Sequence, residues 1–353
     1  MNTRKRDTCR FGSVRDENGQ PPHPLGRRAF LQLAAGAVAL PAVSRTARAQ
    51  AQAYPSRPIT IIVGYAAGGP TDVRTRVLAR YMKPSLGQSL LVENVTGASG
   101  SIGAARAARA APDGYTLSSG DWSTHVVNGA IYALHYDVLS DFEPIALLSS
   151  TPLLIVSKNA VPATDLRGLL AWLKANQDKA QYGTSGPGSP SHVSGLLFQR
   201  MTGMKFQFIP YRGGAVVLQD LIAGQIDVAF AAASNVVSAV RASKIKAYAV
   251  TSNARWAAAP EIPTVDEAGL PGLHVSLWGG LWAPKGTPKA VIEKLNAAVV
   301  EALSDPTVRQ RLADLGEEIP AREQLTPEAL AAHHKAEIEK WWPIVKAAGI
   351  RGE

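Results

Sequence analysis

The 353-residue chain contains a single cysteine, Cys9. One thiol excludes a disulfide framework and any cysteine-based zinc centre. Charged residues make up only 18% and aromatics 7%, while 46% of the chain is hydrophobic, which excludes a disordered or collagen-like chain. Three catalytic or cofactor signatures are absent: the G-x-S-x-G nucleophile elbow, the G-x-x-x-x-G-K-[ST] phosphate loop and the H-E-x-x-H zinc helix. Gly186-Pro187-Gly188 opens like a dinucleotide fingerprint, but Pro190 interrupts it and Ser191 takes the final glycine position. No cofactor and no metal is therefore expected. The net charge of +9 would suggest nucleic acid if it lay on the folded part. Nine of the 37 basic and three of the 28 acidic residues lie within the first 50, so the remainder carries 28 basic against 25 acidic residues. No nucleic-acid partner is expected of so nearly neutral a body.

The first 49 residues read as an export signal. A basic leader ends at Gly26-Arg27-Arg28-Ala29-Phe30-Leu31, an Ala-rich apolar stretch runs to Val43, and Ala47-Arg48-Ala49 supplies an A-x-A cleavage site. The pair Arg27-Arg28 before Phe-Leu predicts the twin-arginine route, with general secretion as the alternative. The apolar stretch is too short to span a bilayer comfortably, and no later segment is long enough. The expected product is a soluble periplasmic chain that has lost Cys9 with its leader.

From Pro58 onward, short apolar runs alternate with helix-period segments. Ile59–Val63, Leu90–Val92, Tyr115–Ser118, Leu153–Val156, Ile226–Phe230 and Ala247–Val250 read as strands. Val73, Val77, Leu78 and Tyr81 mark one side of a helix, with Arg74, Arg76 and Arg80 on the other. Two long helices are expected over 288–315 and 327–348. The fold class is α/β, with mostly parallel sheets and helices on both faces. Three strand-to-helix loops carry Gly, Ser and Thr in place of catalytic groups: Gly64–Asp72, Gly120–His125 and Tyr182–His192. Such loops lie at the carboxyl ends of strands, where ligands bind, and helix N-termini there offer unpaired N–H groups to a carboxylate. The competing reading makes the glycines turn residues and Thr71 or Asp72 a helix cap. Two further constellations are weighed: Ser191-His192 as nucleophile and base, and His333 with Glu337 at metal-ligand spacing, for which a solvated helix face is the better reading.

Tyr54-Pro55-Ser56-Arg57-Pro58-Ile59 following a leader resembles the mature start of the Bug-type substrate-binding proteins of tripartite tricarboxylate transporters. The resemblance continues through Gly68-Gly69 with Thr71-Asp72, Ala111-Pro112-Asp113-Gly114-Tyr115, Asp141-Phe142-Glu143-Pro144, Pro210-Tyr211-Arg212-Gly213-Gly214, Asp220-Leu221-Ile222-Ala223-Gly224 and Ala283-Pro284-Lys285-Gly286, and covers residues 54–350 in order. It implies a two-lobed, Venus-flytrap fold: 50–152 and 276–353 in the first lobe, 153–275 in the second. The resemblance also implies a small organic acid held between the lobes, membrane subunits of a transporter (or a sensor kinase) as partner, and a monomer. Carried over by position, the contacts are Tyr65, Ala67, Gly68, Gly69 and Asp72, then Ser123, Thr124 and His125, to which Trp122 is added where this chain departs from the family. From the second lobe come Thr184, Ser185, Gly188, Ser189, Ser191 and His192, with Ala231 after Phe230.

Three departures from that pattern bear on the ligand. Pro70 removes an N–H donor where the family usually has glycine. Asp121-Trp122 replaces small hydroxyl residues, so Trp122 would offer a stacking face and Asp121 would repel a second carboxylate unless it meets an amine or hydroxyl; the alternative is that Trp122 packs between the lobes and says nothing about the ligand. Ala231-Ala232-Ala233 makes one wall apolar. Together they favour a less polar or aromatic monocarboxylate over citrate. The expected function is non-catalytic capture of an organic carboxylate; the alternatives are a ligand sensor without transport and, last, a periplasmic hydrolase.

Overall fold

The structure, a computed structural model, describes residues 54–351. The leader, with Arg27, Arg28, Ala47 and Ala49, lies outside the described residues. Strand β1 (Ile59–Val63) is β-branched throughout, and four of its five residues are buried because both of its faces are covered. It pairs in parallel with β2 (Leu90–Asn94) and β3 (Thr116–Asp121). Between them run α1 (Pro70–Leu86) and α2 (Ser101–Ala108).

Strand β4 is the spine of the molecule. It runs 17 residues, Phe142–Lys158, through two prolines that read in sequence as breaks. Register shifts between Pro144 and Ala146 and between Leu147 and Ser149 absorb the irregularity. Residues 142–152 pair antiparallel with β9 (Ser276–Pro284), which joins them to β3. Beyond Pro152, β4 pairs with β7 (Val228–Ala232) and with β8 (Ile245–Val250). Parallel pairing then leads from β7 to β5 (Gln181–Thr184) and β6 (Gln207–Pro210). The path β2-β1-β3-β9-β4-β7-β5-β6 is thus parallel towards both ends and antiparallel where β4 and β9 cross. Among the described residues, those two strands account for the four antiparallel strand pairings beside the four parallel ones.

Helices cover both sides, the short α3 (Asn128–Ile131) and α4 (Leu166–Ala175) among them. Alternate residues of β1, β3, β9 and β4 pack Ile59, Ile61, Leu117, Ile145 and Leu281 against α1 and α8 (Lys289–Ser304). A second cluster sets Leu154, Val156, Ala229 and Val250 under α6 (Gly214–Ile222) and α7 (Ala233–Arg241). The long helix expected over 288–315 is two: Asp305 caps α9 (Pro306–Asp314) through the Thr307 and Val308 amides, and Pro306 cannot continue α8. Helix α10 (Pro327–Ala347) buries Trp341 fully, edge-to-face with Trp122 at 5.3 Å. Among the described residues no helix is long and apolar enough to cross a membrane.

Arg74 is not on a solvent face as its helix pattern suggested. It is 5% exposed, pairs with Glu317 at 3.0 Å and donates to Ser149 on β4. The reason is that α1 is enclosed: its polar side turns onto Gly279 of β9, where any Cβ would strike the guanidinium at 2.2 Å.

Candidate functional site

The two groups of expected contacts occupy different surroundings. After β1 the chain turns at Gly68, whose φ of +85° suits glycine. Asp72 reaches back from the first turn of α1 to accept the Gly68 N–H at 2.9 Å, together with Arg76 Nε and Asn94 Nδ2. Burial alone would raise the Asp72 carboxyl, but the hydrogen bonds from Arg76, Gly68 and Asn94 and the Arg76 charge outweigh it and lower its pKa to about 2. Asp72 therefore shapes the loop, and the Gly68 amide is already engaged. Ala67 and Gly68 are exposed at the tip, while Gly69 caps α1 ahead of Pro70.

The expected loop at 120–125 is largely not a loop. β3 extends to Asp121, and a π-helical turn over Ser123–Val127 follows, its last carbonyl bond running from Asn128 N–H to Ser123 O. Asp121 holds the turn to the first loop: it accepts from Tyr65 Oη at 3.0 Å, the Thr124 N–H at 3.0 Å and Thr71 Oγ1 at 3.4 Å. So this carboxylate meets hydroxyls of its own chain. Burial, then the neighbouring Asp121, push the Tyr65 phenol well above its ordinary pKa. Ser123 is half-buried beside them.

Trp122 and His125 point into the core. Trp122 is 1% exposed and packed on Trp341, so it presents no face on which a ligand could stack. His125 is fully buried, stacked on Trp282 at 3.8 Å, with Thr124 Oγ1 2.9 Å from its Nδ1. Burial, with His334 adding to it, drives its pKa well below the usual value. His334 donates from Nε2 to the His125 carbonyl at 2.6 Å, and burial lowers its own pKa to about 4. The solvated face expected around these residues is corrected: His334 is buried and Glu337 accepts both the Trp278 and Trp341 indoles. Among the described residues no group of three or more His, Cys, Asp or Glu is placed to hold a metal ion.

Part of the second group meets at a cavity of about 130 Å³. Ser185, Ser191 and Ala231 of the expected residues line it, joined by Gly214 and Asn235. Leu153, Val217, Phe230, Ala232 and Leu277 make its apolar wall. Ser191 Oγ accepts the Ser185 N–H at 2.9 Å and lies 3.1 Å from Ser189 Oγ. Ser189 caps helix α5 (Pro190–Thr202) by accepting the His192 N–H. Helix α6 begins at Gly214 and α7 at Ala233, so three helix N-termini meet around one small space. Each brings first-turn N–H groups and partial positive charge, and among the described residues no Lys, Arg or His lines the cavity. Gly214 leaves room between Ser185 Oγ and Asn235 Nδ2, each 3.6 Å from where a Cβ would stand.

Thr184 is buried beneath the loop, its carbonyl accepting the Tyr211 N–H. Gly188 turns at φ +71° and donates its N–H to His192 Nδ1 at 3.1 Å. Ser191 and His192 therefore face different partners and do not form a nucleophile–base pair. None of the expected residues from the first two loops lines this cavity. Sequence reasoning missed Asn235, although it lies just beyond the segment after Phe230 that was expected to line the cleft. It missed Arg74 because a buried ion pair has no local signature.

Comparison with known proteins places these features in a family. The family profile described as "Tripartite tricarboxylate transporter family receptor" matches residues 74–350. BugT of Bordetella pertussis is 33% identical over 303 residues, covering 85% of this chain and 92% of its own. MatC from Rhodopseudomonas palustris, solved with bound malate, is 40% identical and superposes with a TM-score of 0.69 over 83% of this chain and all of its own. Rpa4515 from the same organism, solved with adipate, is 32% identical with a TM-score of 0.70, over 84% and 99% of the two chains.

Proposed function

The chain belongs to the tripartite tricarboxylate transporter receptor family, of the Bug type, and from that premise we propose that it is an exported, non-catalytic receptor for a small aliphatic carboxylate. The observation that carries this reading is the meeting of three helix N-termini with Ser185, Ser191 and Asn235 around one cavity free of cationic side chains. Such a site stabilises one carboxylate through N–H and O–H donors without a counter-ion. The other wall is apolar, and the volume of about 130 Å³ lies below the roughly 300–1,000 Å³ usual for drug-sized ligands. A short aliphatic acid fits; the aromatic preference drawn from Trp122 loses its basis with that side chain buried. Malate in MatC and adipate in Rpa4515 are acids of this class.

In this reading residues 54–152 with 276–351 form one lobe and 153–275 the other, with β4 and β9 as the crossing strands. Ligand first meets the second-lobe cavity. The β1–α1 loop, with Tyr65, Ala67 and Gly69, and Ser123 beside it then close over it, in a ligand-biased two-state motion. Delivery goes to the membrane subunits of a tripartite transporter, and the divergence of Ser191 from His192 argues against hydrolysis.

A thermal-shift panel of aliphatic, aromatic and amino acids tests the reading. An aliphatic mono- or dicarboxylate at 100 times its Kd should stabilise the protein by about 2.7 kcal/mol, since it binds only the folded state. A panel in which no carboxylate moves the midpoint would defeat it.

A further inference from the structure

A second cavity, of about 420 Å³, lies on the opposite face of the crossing strands. Side chains alternate along a strand, so Leu277 of β9 turns to the small cavity while Ser276 and Trp278 turn to the large one. On β4, Ser150 pairs with Trp278 and faces the large cavity, whereas Leu153 faces the small one. Helix α10 closes the large cavity with His333, Glu337 and Lys340, spaced i, i+4 and i+7 along one face. Ser252 and Asn253, just past the end of β8, form the facing wall.

The charges around this space are arranged unusually. Glu337 accepts the Trp278 indole at 3.2 Å and the Trp341 indole at 3.0 Å, both through Oε2, which leaves Oε1 without either. Lys340 donates one of its three N–H groups to the His274 carbonyl and sits 4.8 Å over the Trp341 ring. Although neighbours on the helix, Glu337 and Lys340 form no ion pair with one another among the described residues. Among the described residues, Nε2 of His333 is buried without a hydrogen-bond partner. Carboxylate, ammonium and imidazole are thus held separately at one cavity, with hydroxyl and amide groups across from them.

We infer that this is a second binding site, for a small zwitterion of the α-amino acid kind. The ligand's ammonium would meet Glu337 Oε1, and its carboxylate the remaining Lys340 donors. A simple carboxylate would meet the repulsion of Glu337 and a simple amine that of Lys340, so only a molecule carrying both charges satisfies the pair. The small cavity lacks both charges and selects differently.

The test is calorimetric titration of the mature chain with the twenty protein amino acids, with butyrate and butylamine as singly charged controls. At least one amino acid should bind ten times more tightly than either control and change the fluorescence of Trp278. Its affinity should fall at least tenfold in Lys340→Met and in Glu337→Gln, and stay unchanged in Ser191→Ala. Asn253→Trp, which fills the cavity from an exposed loop, should abolish the binding in a chain whose core is untouched. The inference is overturned if no amino acid binds the folded wild type, if Asn253→Trp leaves binding intact, if the charge variants fold yet bind equally well, or if Ser191→Ala removes the binding and so assigns it to the small cavity.

Discussion

Around Asp121 the polar groups of the molecule are joined to each other. Its carboxylate takes Tyr65, Thr71 and the Thr124 amide, and the neighbouring Asp72 takes the Gly68 amide, Arg76 and Asn94. Around Ser191 the same kinds of residue, glycine and hydroxyl at the start of a helix, leave donors directed at a cavity. The difference is the carboxylate. An acid within the loops gathers neighbouring donors to itself, whereas a loop without one leaves donors open to the cavity beside it. Two Gly-rich loops of similar sequence can therefore serve as frame and as receptor.

That contrast can be broken at four points. The largest effect belongs to the frame: Glu317→Ala leaves Arg74 charged and unpaired in the interior and should cost about 3–5 kcal/mol in chemical denaturation. An intact midpoint there would show that the ion pair holds nothing. Asp121→Ala strands the Thr124 amide and the Tyr65 hydroxyl and should destabilise by about 2–3 kcal/mol. Third comes pH. His334 titrates near 4 when folded and near 6.5 when unfolded, so the unfolded chain binds the proton first and stability falls as pH drops through that window. Between pH 7 and pH 5 the loss should be about 2 kcal/mol, and urea midpoints of His334→Gln should be flatter over the same range. Asp72, lowered to about 2, adds its own loss only below about pH 4. The smallest effect is on the receptor side: Ser191→Ala should cost about 1 kcal/mol of folding stability while weakening carboxylate binding about tenfold.

Much of this was legible in the sequence, and the failures share a cause. β1 showed itself by five β-branched residues, and the turn ahead of α5 by its hydroxyls and glycines. β4 was hidden because Pro144 and Pro152 locally resemble breaks, and only the pairing with β9 reveals that a register shift follows Pro144 while Pro152 pairs in register with Ser276. Arg74 read as a surface residue because helix periodicity reports one buried stripe, and α1 is enclosed more widely than that. Trp122 read as a ligand wall because it stands where the family has small hydroxyl residues in a loop; Trp341, 219 residues later in the chain and far outside any local pattern, claims it for the core.

The most direct test of the division between frame and receptor is calorimetric titration of wild type, Ser191→Ala and Asp121→Ala with the carboxylate that gives the largest thermal shift. The predicted result is a roughly tenfold loss of affinity in Ser191→Ala and less than about threefold in Asp121→Ala, despite the greater loss of stability in the latter. An affinity lost chiefly in Asp121→Ala, with Ser191→Ala binding as wild type, would contradict it.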